Sequence, residues 1–136
     1  MNFLHKNETN VRVRYAETDQ MGYCYYGNYA QFCEIGRVEA LRALGMSYKN
    51  MEEKGVMLPV SEYNIKYKSP AKYDDLLTVI TYVLKLEGTR IYFKYDIVNE
   101  NKNIVAQAST TLVFVSKENM RPTAPPKDFI KILNHA

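Results

Sequence analysis

Residues 15–45 read YAETDQMGYCYYGNYAQFCEIGRVEALRALG, and the rest of the chain is arranged around them. The stretch joins an acidic turn, a glycine-bearing loop and the one long helical pattern in the sequence. From Asn28 onward, Tyr29, Phe32, Cys33, Gly36, Ala40, Ala43 and Leu44 recur at helical spacing, while Gln31, Glu34 and Arg42 fall opposite. Asn28 is of a type that caps helix starts, and Gly45 of a type that ends them. The middle of the stripe is small (Cys33, Gly36, Ala40), so this helix can press its backbone against whatever lies beneath. Gly36 weakens an isolated helix by roughly 1 kcal/mol relative to alanine, which a close tertiary contact must offset. Ile35, Val38 and Leu41 lie off the stripe, and their placement predicts a helix enclosed on more than one side.

Working outward, Val11, Val13 and Tyr15 alternate with Arg12 and Arg14, which predicts a first strand over Thr9–Tyr15. Ala16 to Gly27 then reads as a loop. A short second helix is expected over Met46–Lys54, with Ser47 as its cap and Gly55 as its stop. Beyond Gly55 the chain turns strand-like. Tyr63, Ile65 and Tyr67 alternate up to the break at Ser69-Pro70, Leu76–Leu86 forms a run ended by Gly88, and Ile91, Phe93, Tyr95 and Ile97 alternate again. After the polar turn Asn99–Asn103 comes Ile104–Val115, whose Ala106, Ala108 and Thr110 form a small-residue face suited to lie under a close helix. Short connections predict antiparallel pairing between strands adjacent in sequence. RPTAPP at 121–126 is too rich in proline for regular structure, and a terminal helix is expected over Asp128–Leu133. One strand, one long helix and about four further strands predict an α+β fold, with a single sheet wrapped around the helix.

With 136 residues, 46% of them hydrophobic and 24% charged, the composition is that of one globular domain spanning 1–136. The net charge of +3 is mild and its lysines are scattered, so no nucleic-acid partner is expected. Two cysteines, Cys24 and Cys33, do not make a disulfide framework, which points to a reducing, cytoplasmic setting. No apolar run reaches the ~18 residues that a membrane span needs.

The only histidines, His5 and His135, lie at the two ends, which leaves a serine or cysteine triad without a central base. Metal-ligand spacing and phosphate-loop motifs are absent from the sequence, so neither a metal nor a cofactor is expected. What remains is Glu17-Thr18-Asp19, then Gly22, then Tyr26-Gly27-Asn28-Tyr29 at the helix start. A helix N-terminus presents unpaired N–H groups that can hold a developing oxyanion, and a nearby carboxylate can attack a carbonyl or direct water to it. Aspartate is equally a turn former, so spacing alone leaves both roles of Asp19 open.

The run Y-A-E-T-D-Q-M-G-Y-C-Y-Y-G-N-Y-A-Q-F, with Glu34 and Arg37 as E-x-x-R, resembles the signature of the 4-hydroxybenzoyl-CoA thioesterase family of hotdog-fold proteins, including its acyl-CoA thioesterase branch. The likeness extends through Ser69-Pro70-Ala71 and Tyr73-Asp74-Asp75-Leu76. The resemblance implies an antiparallel sheet around one long central helix. It also implies homodimers or homotetramers with active sites between subunits, and hydrolysis of a coenzyme A thioester. It assigns the catalytic carboxylate to Asp19 and binding of the thioester carbonyl to backbone N–H groups among Tyr26, Gly27, Asn28 and Tyr29. Cations at the rim would meet the coenzyme's phosphates, and Arg90, after the Gly88 turn, is the best positional match. Many acyl-CoA members carry histidine where this chain has Tyr26, whereas tyrosine resembles the hydroxybenzoyl-CoA type. A non-catalytic acyl-CoA-binding or regulatory hotdog protein is the alternative reading.

Overall fold

The structure, a computed structural model, describes residues 1–135. Five strands form one antiparallel sheet in the order β1-β4-β5-β6-β3. They are β1 (His5–Arg12), β3 (Val60–Tyr67), β4 (Leu76–Glu87), β5 (Arg90–Val98) and β6 (Ile104–Val113); β2 (Val56–Met57) pairs separately with β7 (Val115–Ser116). The helices are α1 (Tyr29–Ala43), α2 (Tyr48–Glu53) and α3 (Lys127–Asn134). No helix among the described residues is long and apolar enough to cross a membrane.

The alternation expected for the central strands is present: Leu77, Val79 and Val83 on β4, and Ile91, Phe93, Tyr95 and Ile97 on β5, are fully buried. They face α1, whose Phe32, Cys33, Gly36, Ala40 and Leu41 are buried in turn. This is the hotdog arrangement that the resemblance implies, a curled sheet around one long helix. Ser47 caps α2 by accepting a 3.1 Å hydrogen bond from the N–H of Asn50. Gly45 and Gly55 sit at positive φ (82° and 83°) where the helices end, which glycine adopts without a Cβ penalty. Phe129 of α3 packs edge-on against Phe114, their ring centroids 5.6 Å apart, and closes one end of the core.

The structure corrects several expectations. The first strand runs over His5–Arg12 rather than Thr9–Tyr15. Its early residues are polar and only alternately half-buried, so its pairing with β4 rests on the backbone ladder, from His5 opposite Val83 to Arg12 opposite Leu76. Tyr15–Glu17 forms a 3-10 turn, which turns Tyr15 into solvent. Strands β3 and β4 follow each other in sequence but do not pair. They lie near opposite sides of the sheet, because β3 pairs with β6 and β4 with β1.

The close approach of α1 is to β4, not to the alanine face of β6. A Cβ built on Gly36 would lie 2.7 Å from Val79 Cγ1 and would run into Thr81 Oγ1. The helix is also less enclosed than expected: Leu41 is buried, but Ile35 is 41% exposed and Glu34 faces solvent. One flank of α1 is therefore open in the single chain. So is β3, whose residues are exposed except for a half-buried Ile65.

Candidate active site

Asp19 is held at a tight hairpin-like turn between β1 and α1. Its N–H donates to the carbonyl of Tyr23 (2.8 Å), and its own carbonyl accepts from Gly22 (3.0 Å), where φ is +78°. The side chain takes part as well, Oδ1 accepting from the N–H groups of Met21 (2.9 Å) and Tyr23 (3.3 Å). This is the Asx-turn geometry that aspartate favours. It occupies one carboxylate oxygen and leaves Oδ2 with no protein partner among the described residues.

Glu17 ties this turn to the helix start. Its backbone carbonyl accepts from the N–H of Tyr25 (2.8 Å) and from Asn28 Nδ2 (2.8 Å). Its carboxylate, itself buried, accepts from the N–H of Arg14 (2.8 Å) and from the Arg14 guanidinium (3.0 Å). Burial pushes the Glu17 carboxyl up, but the hydrogen bonds and charge of Arg14 together outweigh it and hold the group below its ordinary value. A depressed carboxylate stabilises the fold above its unfolded pKa of about 4.3, and that stability is lost as pH falls through the lower folded value. Glu17→Gln is therefore expected to cost about 1 kcal/mol at pH 7, since a charge-assisted pair is lost. Urea titrations between pH 6 and pH 3 should show a shallower acid decline in the variant than in the parent.

The helix begins differently from the expectation. A 3-10 turn over Tyr26–Asn28 runs straight into α1, and Asn28 makes no side-chain cap. Its side chain is spent on Glu17, and its backbone is already helical (φ −74°, ψ −18°). Of the four amides expected to bind a carbonyl, those of Asn28 and Tyr29 are engaged, by the carbonyls of Tyr25 (3.0 Å) and Tyr26. The N–H groups of Tyr26 and Gly27 have no acceptor among the described residues. The free donors of the helical segment thus lie one and two residues before the predicted cap.

Asp19 and Tyr26 line the same open cleft of 330 Å³, together with Cys24, Tyr29, Tyr67, Lys68 and the Ser69-Pro70 break. Neither histidine lines it. Burial, then the charge of Glu17, pushes the Cys24 thiol up to about 11, and burial pushes Cys33 to about 12, so both remain protonated thiols at neutral pH and behave as small apolar groups.

Arg90 is not brought to this cleft within one chain. It starts β5 opposite Val113, whereas the cleft borders the other end of the sheet, where Tyr67 faces Ala106 and Ala106 faces Ile97. At ~3.4 Å per strand residue, Arg90 and Ile97 are about 24 Å apart. Lys68 is the cation at the cleft itself. Glu17 and Tyr67 were not marked as site residues by the sequence. Their alternation and loop position were visible, but their hydrogen bonds join segments that only the fold brings together.

The architecture is that of the hotdog-fold thioesterases. The chain belongs to the thioesterase-like superfamily, whose family model matches residues 13–133. It is 36% identical to YneP of Bacillus subtilis over 93% of this chain and 91% of that one. It is 32% identical to the acyl-CoA thioester hydrolase YbgC of Escherichia coli, over 88% and 90% of the two chains. Among solved structures, a DHNA-CoA thioesterase from Staphylococcus aureus superposes with a TM-score of 0.92 at 33% identity, covering 96% of this chain and 89% of that one.

Proposed function

We propose that the protein hydrolyses acyl-coenzyme A thioesters to the free acid and coenzyme A. The observation that carries this reading is the shared cleft, lined both by Asp19, whose carboxylate has one unengaged oxygen, and by Tyr26 at the helix start, whose N–H has no acceptor among the described residues. The names of the relatives support the same chemistry. In this reading the thioester carbonyl accepts from the N–H groups of Tyr26 and Gly27. Asp19 then either attacks the carbonyl carbon, forming an anhydride that water opens, or takes a proton from the attacking water. The carbon–sulfur bond breaks in either route. The departing thiolate needs little acid assistance, because a thiol's pKa is near ~8.5.

Two open features support a homodimer, the unpaired edge of β3 and the flank of α1 that carries Ile35. Antiparallel pairing of two β3 strands about a two-fold axis brings the Arg90 end of one sheet beside the Asp19 end of the other. Arg90 of the partner subunit, with Lys68, then suits the phosphates of a coenzyme that spans both subunits.

The Asx-turn favours a second reading, in which Asp19 only shapes the loop of a non-catalytic acyl-CoA-binding protein. A thiol-detecting assay over hydroxybenzoyl, short-chain and long-chain acyl-CoA separates the two. Catalytic release of free coenzyme A is the expected result for at least one class. Saturable binding without thiol release would establish the binding protein instead.

A further inference from the structure

Tyr67 ends β3 and lines the cleft with Asp19, and its hydroxyl reaches the helix start. Its Oη donates to the backbone carbonyl of Tyr26 at 3.3 Å. The ring is held edge-on to two others, 6.3 Å from the Tyr26 ring and 5.4 Å from that of the buried Tyr29. The same Tyr26 carbonyl accepts the N–H of Tyr29. It belongs to the peptide unit whose nitrogen is that of Gly27, and Gly27 N–H has no acceptor among the described residues.

A trans peptide is planar, with its N–H pointing opposite to its C=O. Fixing the Tyr26 carbonyl from one side therefore fixes the direction of the Gly27 N–H on the other. Donation into the carbonyl also draws electron density through the amide and makes the N–H a better donor, by about 10–30% per bond. The 3.3 Å separation is long for O–H···O. Such bonds shorten when the donor they support is engaged, as catalytic hydrogen bonds commonly do on substrate binding.

We propose that Tyr67 is a positioning residue, whose hydroxyl orients and polarises the Tyr26–Gly27 peptide so that the Gly27 N–H serves as a donor to the thioester carbonyl. The role rests on the hydrolytic reading above. Tyr67 touches neither the carbonyl nor the coenzyme's sulfur, and acts only through the peptide. It would also couple the rim of the sheet to the helix start, since β3 carries it.

Tyr67→Phe keeps the ring and its aromatic contacts and removes only the hydroxyl. The expected result is a fall in kcat of about tenfold, less than the loss of a whole oxyanion donor, with KM within about twofold. Tyr63→Phe, four residues back along the same strand and outside the cleft lining, serves as the control and should leave kcat unchanged. A structural role would not move the stretching frequency of a bound carbonyl, so that frequency is the deciding measurement. In the Asp19→Asn background, a ¹³C-carbonyl acyl-CoA should show its C=O band shifted to lower frequency than in water, and adding Tyr67→Phe should return part of that shift. Unchanged kcat in Tyr67→Phe overturns the role, as does a lower kcat with an unmoved carbonyl band. If the parent protein releases no thiol from any acyl-CoA, the hydrolytic reading fails first, and the role of Tyr67 falls with it.

Discussion

Asp19→Asn is expected to lower kcat for acyl-CoA hydrolysis by about 10²–10⁴-fold, the usual contribution of a positioned acid–base group. The substitution suits this site because of how Asp19 is held. Only Oδ1 takes part in the turn, accepting from Met21 and Tyr23, and an asparagine oxygen can accept the same two bonds. What asparagine removes is the negative charge and the lone pairs of the unengaged oxygen. The turn, the cleft and the thermal midpoint should therefore survive while turnover is lost. A thiol-release assay, with circular dichroism on the same samples, reads both. Turnover within twofold of the parent would show that Asp19 is only a loop former and would remove it from the catalytic machinery.

Gly36→Val is expected to be the most damaging single change to the fold. The first carbon of the new side chain already lies 2.7 Å from Val79 Cγ1 and runs into Thr81 Oγ1, and both partners are fully buried on β4. Neither can swing away, since they form the floor of the core beneath the helix. Overpacking of this kind costs about 1–3 kcal/mol, and valine's two branches on an already blocked Cβ place this site at the upper end. Against a typical domain stability of about 5–15 kcal/mol, a loss near 3 kcal/mol should lower the thermal midpoint by on the order of 10 °C. Thermal melts followed by circular dichroism test this. An unchanged midpoint would mean that α1 can lift from β4, contrary to the packing described. Thr81 Oγ1 is also buried without a hydrogen-bond partner among the described residues, so no polar bond there would be lost to such a shift.

The fold was legible where side chains carry the signal. The helix over residues 29–43 and the central strands announce themselves through Phe32, Cys33 and Ala40, and through the alternation of Ile91, Phe93, Tyr95 and Ile97, because burial on one face imposes a period. The first strand departs from its expected bounds for the converse reason. From His5 to Asn10 the residues are polar and the strand lies at an edge, so pairing with β4 is a backbone matter that leaves little trace in composition. Strand order was hidden likewise. Short connections favour neighbouring pairs, and only the three-dimensional closure around α1 sends β3 and β4 to different sides of the sheet.

At the site, Asp19 and the helix start were readable as residue types with suitable chemistry. Which amides remain free was not, because that depends on the 3-10 turn at Tyr26 and on Asn28 turning back to the Glu17 carbonyl. In the sequence Tyr67 is one of a strand's alternating tyrosines. Its bond to Tyr26 spans most of the chain between the helix start and the end of β3, a distance no local pattern reports.

The strands β4, β5 and β6 are joined by tight turns and pair with their sequence neighbours, so they lose little loop entropy in meeting. Both outer strands are recruited from far along the chain: β1 across the whole of α1 and β3, and β3 across β4 and β5. The Asp19 turn follows one of these margins and Tyr67 ends the other, and the two are stitched together where the Cys24 N–H donates to the Ala71 carbonyl (2.7 Å) just past β3. The cleft is thus a junction of segments far apart in sequence, and its shape depends on both long-range strand pairings rather than on any one local turn.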